Sequence, residues 1–407
     1  MDIGIIGAGA AGVFTAINAK NKNNKVIIIE KNKQIGKKLF ITGKGRCNIT
    51  NAKFFDEFLD NIVVNKKFMY SSFTNFDNYA LMDYLENKGL KLVVQRGDRV
   101  FPKSEKSSDV IKFFENLITK NHIDLKLNEK VEKILKDEKG KFLVKTNKDT
   151  YSFDKLVIAT GGLSYPLTGS TGDGYKFAKE FSHNLIETKS ALCPIRFKDK
   201  DLDLLNGISL RNVSLNVETK DRNFSEFGEM LIGKDFITGP IVLTMSSLIN
   251  KSQVKGLYID LKPALDFEKL DNRIVRDFEN DSNKDIVNVL KNLLLNAFVE
   301  VILERVKIDF HKKVNQITKE ERYKLIDVIK HFKLEFNGLS HVKNAVVTSG
   351  GVDCKELNPK NMESKKVQGL YFVGEVTDVD ALTGGYNLQI AFSQAYACAE
   401  DLRSFNE

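Results

Sequence analysis

The run Asp2-Ile3-Gly4-Ile5-Ile6-Gly7-Ala8-Gly9-Ala10-Ala11-Gly12 constrains this chain more than any other stretch. A short apolar strand enters a Gly-x-Gly-x-x-Gly turn and a helix follows. Val26-Ile27-Ile28-Ile29 is then a second strand, and it ends in Glu30. Strand, glycines, helix, strand and acid in that order specify a dinucleotide-binding β-α-β unit. Gly7 permits the tight turn, Gly9 lets backbone approach a pyrophosphate, and Gly12 lets helix and strand pack closely. The helix N-terminus, at Ala10 and Ala11, offers N–H groups and partial positive charge to phosphates. Glu30 is placed to bind ribose hydroxyls and would repel a 2′-phosphate.

The length of 407 residues suits two or three domains, and 42% hydrophobic residues suffice for ordinary globular cores. No apolar run approaches a membrane span. The first strand begins at residue 2, so no signal peptide is expected. Cys47, Cys193, Cys354 and Cys398 stand far apart, with no Cys-x-x-Cys pair. That argues against a dithiol reductase, a zinc site and a disulfide framework, and for a reducing cytoplasm. No histidine pair has metal-ligand spacing, so no metal is expected. The net charge of +8 favours a polyanionic partner such as nucleic acid, although abundant Lys and Asn without Trp also fit coding bias.

Beyond Glu30, residues 31–51 show no periodicity and are rich in Gly and Lys. A long ordered loop beside a phosphate site is usually functional. Lys31, Lys38, Thr42, Gly43, Gly45, Arg46, Cys47 and Asn48 are therefore candidate cofactor contacts. Lys37, Lys38, Lys44 and Lys103 are candidates to hold phosphates of a nucleic acid. Cys47 is the candidate catalytic residue: Arg46 beside it should lower its pKa and make it a proton donor or reactive thiol. The competing reading is a small residue packed beneath the cofactor.

The spacing then predicts a helix at 78–88, a strand at 90–94, and a helix capped by Ser107 or Ser108. Strands at 123–127, 131–135, 142–146 and 151–153 read as one antiparallel meander. The buried strand 156–158 runs into Ala159-Thr160-Gly161-Gly162 and returns the chain to the cofactor side; a helix spans 172–183. From 191 to 262 the pattern is strand-like, including 214–217, 229–232, 241–244 and 257–260; from 263 to 340 it is helical. Strand-and-glycine alternation resumes at 346–352. The fold class is thus α/β, with a discontinuous Rossmann-like domain from 1–190 and 341–407. A β-rich domain at 191–262 and a helical subdomain at 263–340 are inserted into it.

Leu370-Tyr371-Phe372-Val373 ends in Gly374 and Glu375; Asp378 and Asp380 follow. Gly384 and Gly385 then open a last helix through Tyr386, Asn387 and Leu388. A glycine pair at a helix N-terminus is a second anion site. Two such termini at opposite ends of a long cofactor favour FAD over NAD. Tyr386 and Asn387 are candidate flavin-edge contacts, with ordinary capping as the alternative. Gly169-Ser170-Thr171-Gly172-Asp173-Gly174 has the wrong glycine order for a second dinucleotide site. A donor, NADH or NADPH, would then visit the flavin transiently, with ping-pong kinetics.

Gly43-Lys44-Gly45-Arg46-Cys47-Asn48-Ile49-Thr50-Asn51, Arg99-Val100-Phe101-Pro102, Thr171-Gly172-Asp173-Gly174, and Gly374 to Asp380 with Thr383 to Gln389 together resemble the bacterial YhiN-like (BaiN/RdsA-type) flavoproteins. The resemblance covers essentially the whole chain. It implies a glutathione-reductase-type FAD domain with an inserted β-barrel and helical subdomain, and a cofactor set that includes Val131. It also implies reduction of a C=C bond conjugated to a carbonyl, with uridine in 23S ribosomal RNA as the leading substrate. A small enone or steroid is the first alternative, and a flavin-holding RNA-binding factor without turnover the second. Where the family tends to carry a histidine in the insert, this chain has Lys234, so no catalytic role transfers to that position.

Overall fold

Asp2–Ile6 (β1), Lys25–Ile29 (β2), Asp124–Lys126 (β3), Lys155–Ile158 (β4) and Leu370–Phe372 (β5) are short, and most are apolar at nearly every position. Strands of that kind suit a sheet buried on both faces. In the computed structural model, which describes residues 1–404, they form one parallel sheet in the order β5-β4-β1-β2-β3. Alternate residues serve two cores. Ile3, Ile5, Val26, Ile28 and Val157 face the helical side, where Ala10–Ala19 (α1) and Tyr386–Ser404 (α2) pack. Ile6, Ile27, Ile29, Leu156, Ile158 and Phe372 join Phe142, Val144 and Phe153 of a small meander on the other side. A Cβ on Gly4 would lie 2.4 Å from the Phe153 ring, so that glycine makes room for the meander.

The chain divides into two compact units. One is Met1–Ala191 with the chain from His341 onward; the other is Leu192–Ser340. In the second unit, strands at Phe332–Lys333, Val254–Asp260, Ser209–Thr219, Asn223–Ile232, Phe236–Thr238, Ile195–Phe197 and Phe336–Leu339 pair antiparallel in that order. The two edge strands are nearly adjacent in sequence. Lys333 and Phe336 can be at most roughly 11 Å apart. A flat sheet would hold those edges six spacings, roughly 29 Å, apart. The sheet must therefore curl back on itself, as a barrel does. Helices Phe267–Asn280, Asn296–Val306 and Lys319–Lys330 share one core with this sheet through Leu270, Ile274, Phe298, Ile302, Leu325 and Ile329.

Three local expectations are corrected. Residues 124–126 do not belong to the meander. They pair parallel with β2, because the preceding helix, Ser107–Lys120, carries the chain back to that sheet edge. Neither Ser107 nor Ser108 caps that helix. Lys106 holds the cap position, and the Ser107 hydroxyl donates to the Phe40 carbonyl at 2.6 Å. The run 241–244 is helix, not strand. Pro240 starts Pro240–Ile249 at its first turn, where its missing N–H costs nothing, and Ile241, Met245 and Ile249 bury one face at a spacing of four. A four-residue window cannot show that period. Among the described residues no helix is long and apolar enough to cross a membrane, and no cluster of His, Cys, Asp and Glu suits a metal ion.

Phe14 is fully buried between α1 and α2, with its ring 5.0 Å from Phe392, 5.0 Å from Tyr84 and 5.6 Å from Phe76. Phe14→Ala is expected to lower stability by ~3–5 kcal/mol. Urea unfolding should show this as a lower midpoint with an unchanged slope. A loss below about 1 kcal/mol would mean that the ring cluster repacks around the gap.

Candidate cofactor site

Turns at the C-terminal ends of β1, β4 and β5 meet with almost no side chain between them. Gly7 has φ +103°, and a Cβ there would lie 2.5 Å from the Ala159 carbonyl oxygen. A Cβ on Gly12 would lie 2.0 Å from the Gly7 carbonyl oxygen, and one on Gly374 2.9 Å from the Ala11 Cβ. Those glycines are required by the protein's own packing. Gly9 differs: a Cβ there would meet nothing within 4 Å. The chain itself makes no demand for a bare backbone at Gly9, and the open space there leaves room for a pyrophosphate over the start of α1.

Glu30 is 8% exposed at the end of β2. Its Oε2 accepts the Ala8 N–H at 2.8 Å; its Oε1 accepts the Asn32 N–H at 2.8 Å and Nδ2 at 2.6 Å. The carboxylate is thus held in place and keeps acceptor capacity for a hydroxyl. Asn32 also donates to the Thr168 carbonyl and accepts from Lys37, a bracing role that its type and place in the loop did not announce. The Lys31 ammonium is engaged by Thr171 and by Asp173, the latter at 2.6 Å. Val131 is buried with Ile6, Ile27 and Ile29 beneath this end of the sheet.

The loop after Asn32 folds as a short helix, Lys37–Ile41, and a tight turn, Thr42–Gly45. Gly43, Lys44, Gly45 and Cys47 all have left-handed φ, between +58° and +83°. A Cβ on Gly45 would meet nothing within 4 Å. The Arg46 guanidinium lies 4.6 Å over the Phe101 ring and pairs with Glu105 at 3.2 Å. It does not activate Cys47 as the sequence suggested. Burial dominates there and pushes the thiol up to about 12, against a smaller opposing hydrogen bond with Thr42. Burial thus favours the protonated thiol at neutral pH, which fits a packing role in the core that also holds Leu39 and Ile49.

Two long-range ties join this loop to the last strand and helix. Lys38 pairs with Glu375 and Ser164; Glu375 also accepts the Ser164 hydroxyl at 2.7 Å and the Thr348 N–H at 2.9 Å. Burial alone would raise the Glu375 carboxyl, but Lys38 and these donors outweigh it and hold it below its usual range. The Thr348 hydroxyl accepts the N–H groups of Leu163 and Ser164. Ser164 and Thr348 were missed in the sequence; their only signal was adjacency to glycine pairs. The second tie is at Thr50, whose hydroxyl donates to Gln389 at 2.7 Å, and at Asn51, whose Nδ2 donates to the Gly384 carbonyl at 3.1 Å. A Cβ on Gly385 would lie 2.3 Å from the Thr50 carbonyl oxygen.

At the start of α2 the side chains serve the protein. Tyr386 is buried edge-to-face on Phe58 at 4.8 Å. The Asn387 amide donates to Ala381 and Leu382 and accepts from the Ala381 N–H. Asp380 is fully buried in a strand pair with Val64. What α2 offers a ligand is its first backbone N–H groups, from Tyr386 to Leu388, which lack intrahelical acceptors. The residues fit FAD on two observations: the open approach to Gly9 and Gly45, and a buried Asn48 Oδ1 that has no hydrogen-bond partner among the described residues. The orphaned Thr160 Oγ1 does not add to this, because it faces the close packing at Gly174.

A parallel sheet with glycine turns at three strand ends, an acid closing β2 and two helix N-termini defines a Rossmann-type dinucleotide-binding protein. The chain belongs to the HI0933-like family: that family's Rossmann-domain pattern matches residues 1–401. It is 33% identical over 402 residues to the ribosomal RNA dihydrouridine synthase of Escherichia coli (strain K12), covering 98% of this chain and 97% of that protein. It is 27% identical over 410 residues to the 3-dehydro-bile acid delta(4,6)-reductase of Clostridium scindens, covering 97% of each. Among solved structures, 3-ketosteroid delta1-dehydrogenase from Sterolibacterium denitrificans shares the fold, with a TM-score of 0.53, 13% identity and 99% of both chains covered.

Two measurements check the site. Glu30→Ala should reduce flavin affinity at least roughly tenfold, since hydrogen bonds to a charged group contribute ~1.5–3 kcal/mol. Flavin absorbance per protein after dialysis reads this, and unchanged retention would remove Glu30 from the site. The Glu375 carboxyl is depressed below its usual 4.5 in the folded chain. Its network therefore stabilises the fold above the unfolded pKa, near ~4.3, and that stability is lost as pH falls through the folded value. Between pH ~7 and ~3 the thermal midpoint should drop further for the native chain than for Glu375→Gln. Equal drops would show that other carboxylates set the acid sensitivity.

Proposed function

We propose that this protein uses a nicotinamide donor to reduce uridine to dihydrouridine in large-subunit ribosomal RNA. The observation that carries the reading is full-length similarity, at 33% identity, to a protein named for that activity. The basic balance of the chain, +8, agrees with a polyanionic substrate. When bound, FAD supplies the hydride chemistry. The chain's own residues bind and orient. The N–H groups at the start of α1 and the bare backbone of Gly9 and Gly45 would hold the pyrophosphate side, while the orphaned Asn48 Oδ1 would accept from an N–H or hydroxyl of the cofactor. Glu30 would hold ribose hydroxyls, and the α2 N-terminus would stabilise negative charge at the far end. The Lys38–Glu375–Ser164–Thr348 network keeps those two ends in register. With no second glycine fingerprint, NADH or NADPH would share the substrate's side of the flavin. The site of action in this reading is the cytoplasm.

A second reading has one specific support. A bile-acid reductase is also a full-length relative, at 27% identity, so a small conjugated ketone is the alternative substrate. Both reactions add a hydride and a proton across a double bond conjugated to a carbonyl. Mass analysis of 23S RNA from cells with and without the gene separates them. The expected result is a dihydrouridine that disappears on deletion and returns with the intact gene. Unchanged RNA, together with NAD(P)H-dependent turnover of a small enone, would replace the first reading with the second.

A further inference from the structure

Most large apolar side chains of the first unit are inside it; among its exposed rings, which also include Phe40 and Tyr70, two stand at one segment beside the cofactor site. Phe54 is 73% exposed and Tyr79 is 41% exposed. Both are anchored to the segment that reaches the α2 end of the cofactor site. The Tyr79 hydroxyl donates to the Ala52 carbonyl at 2.8 Å, and Asn78 donates to the carbonyls of Asn51 and Lys53. Asn51 itself donates to Gly384, beside the α2 N-terminus. The rings therefore stand within a few residues of the site, on a rigid base.

The same base carries two guanidinium groups. Arg96 and Arg99 flank a turn at Gly97 and Asp98, both with left-handed φ. That turn is fastened to the ring segment by the Ala52 N–H to the Asp98 carbonyl, 2.6 Å, and by the Asn51 amide to the Gly97 carbonyl, 3.0 Å. Arg96 is exposed, and Arg99 is partly exposed with Nε donating only to the Arg96 carbonyl. Neither forms an ion pair with a carboxylate among the described residues, whereas nearby Lys53 and Lys66 are paired with Glu57 and Asp60. Exposed rings beside guanidinium groups held outside any ion pair, here with the exposed Asp98 carboxylate between them, are the components of a single-strand nucleic-acid surface. Rings accept any base by stacking, and the cations follow the phosphates.

We propose that Phe54, Tyr79, Arg96 and Arg99 hold the unpaired RNA flanking the base to be reduced. This rests on the RNA reading above and adds where the strand lies. A buried uridine must leave its stack to reach a flavin, and a platform that takes the neighbouring bases offsets part of that cost. A small conjugated ketone would have no use for such a surface.

The test uses the full-length holoprotein and a fluorescein-labelled, unstructured oligouridylate. Phe54→Ala should weaken binding roughly tenfold, and Phe54→Trp should restore it. The double substitution Arg96→Gln, Arg99→Gln should reduce the salt slope of log affinity by about 1.4. Flavin content, thermal midpoint and NADH-driven flavin bleaching without RNA should not change, because Phe54 is outside the cofactor contacts. Dihydrouridine in 23S RNA should fall in a deletion strain complemented with Phe54→Ala. Native binding and native modification by these variants would overturn the surface and leave the RNA reading standing. Loss of modification on intact large subunits with unchanged oligouridylate binding would assign the surface to a protein partner and overturn it as well. Absence of dihydrouridine formation by the native protein would remove both.

Discussion

Backbone lies directly on backbone where β1, β4 and α1 converge, with the end of β5 against the Ala11 methyl, and everything else in the first unit depends on that contact. Gly7, Gly12 and Gly374 leave no room for a Cβ there. The helix axis can therefore start almost at the sheet, with its N–H groups aimed past the strand ends. An open parallel sheet binds ligands at this edge because the strands end there and the helices begin. Any side chain at Gly12 would push α1 from the sheet, and the anion site would move with it.

The site is completed by partners distant in sequence. Lys38 and Glu375 are joined across most of the chain, as are Thr50 and Gln389. Between them lie the meander and the whole inserted unit. A loop of that length closes at an entropic cost that grows only slowly with length, so the insert is tolerated as long as the two ends hold. The Lys38–Glu375 pair is partly buried, and such pairs are weak sources of net stability. Its larger effect is register: the carboxylate also receives Ser164 and Thr348, which fixes four segments relative to one another.

The opening fingerprint was legible because Gly7 and Gly12 each answer a separate steric demand of the β-α-β unit. The glycine pair before α2 was legible for the same reason. What was not legible was the use of individual side chains. Tyr386 and Asn387 look like ligand groups in sequence, but one fills a core against Phe58 and the other braces residues 381–382. Ser164 and Thr348 look like ordinary loop and strand residues, but they complete a charged network. Cys47 beside Arg46 suggested an activated thiol; tertiary packing turned the guanidinium toward Glu105 and buried the sulfur. Short apolar runs misled for another reason. At 241–244 four residues cannot distinguish a period of two from one of 3.6, and at 124–126 local alternation says nothing of which sheet a strand will join.

The interleaved order of the sheet has a consequence for biogenesis. β1, β2, β3 and β4 leave the ribosome before the inserted unit, but β5 and α2 leave after it. Until then β4 has an open edge, Phe14 lacks Phe392, and Lys38 lacks Glu375. The inserted unit owns its core and can fold in the interval, as domains generally do during synthesis. The nucleotide site, by contrast, is completed only when its last strand and α2 arrive to join the N-terminal half. Cofactor loading is thereby a late step, coupled to completion of the sheet.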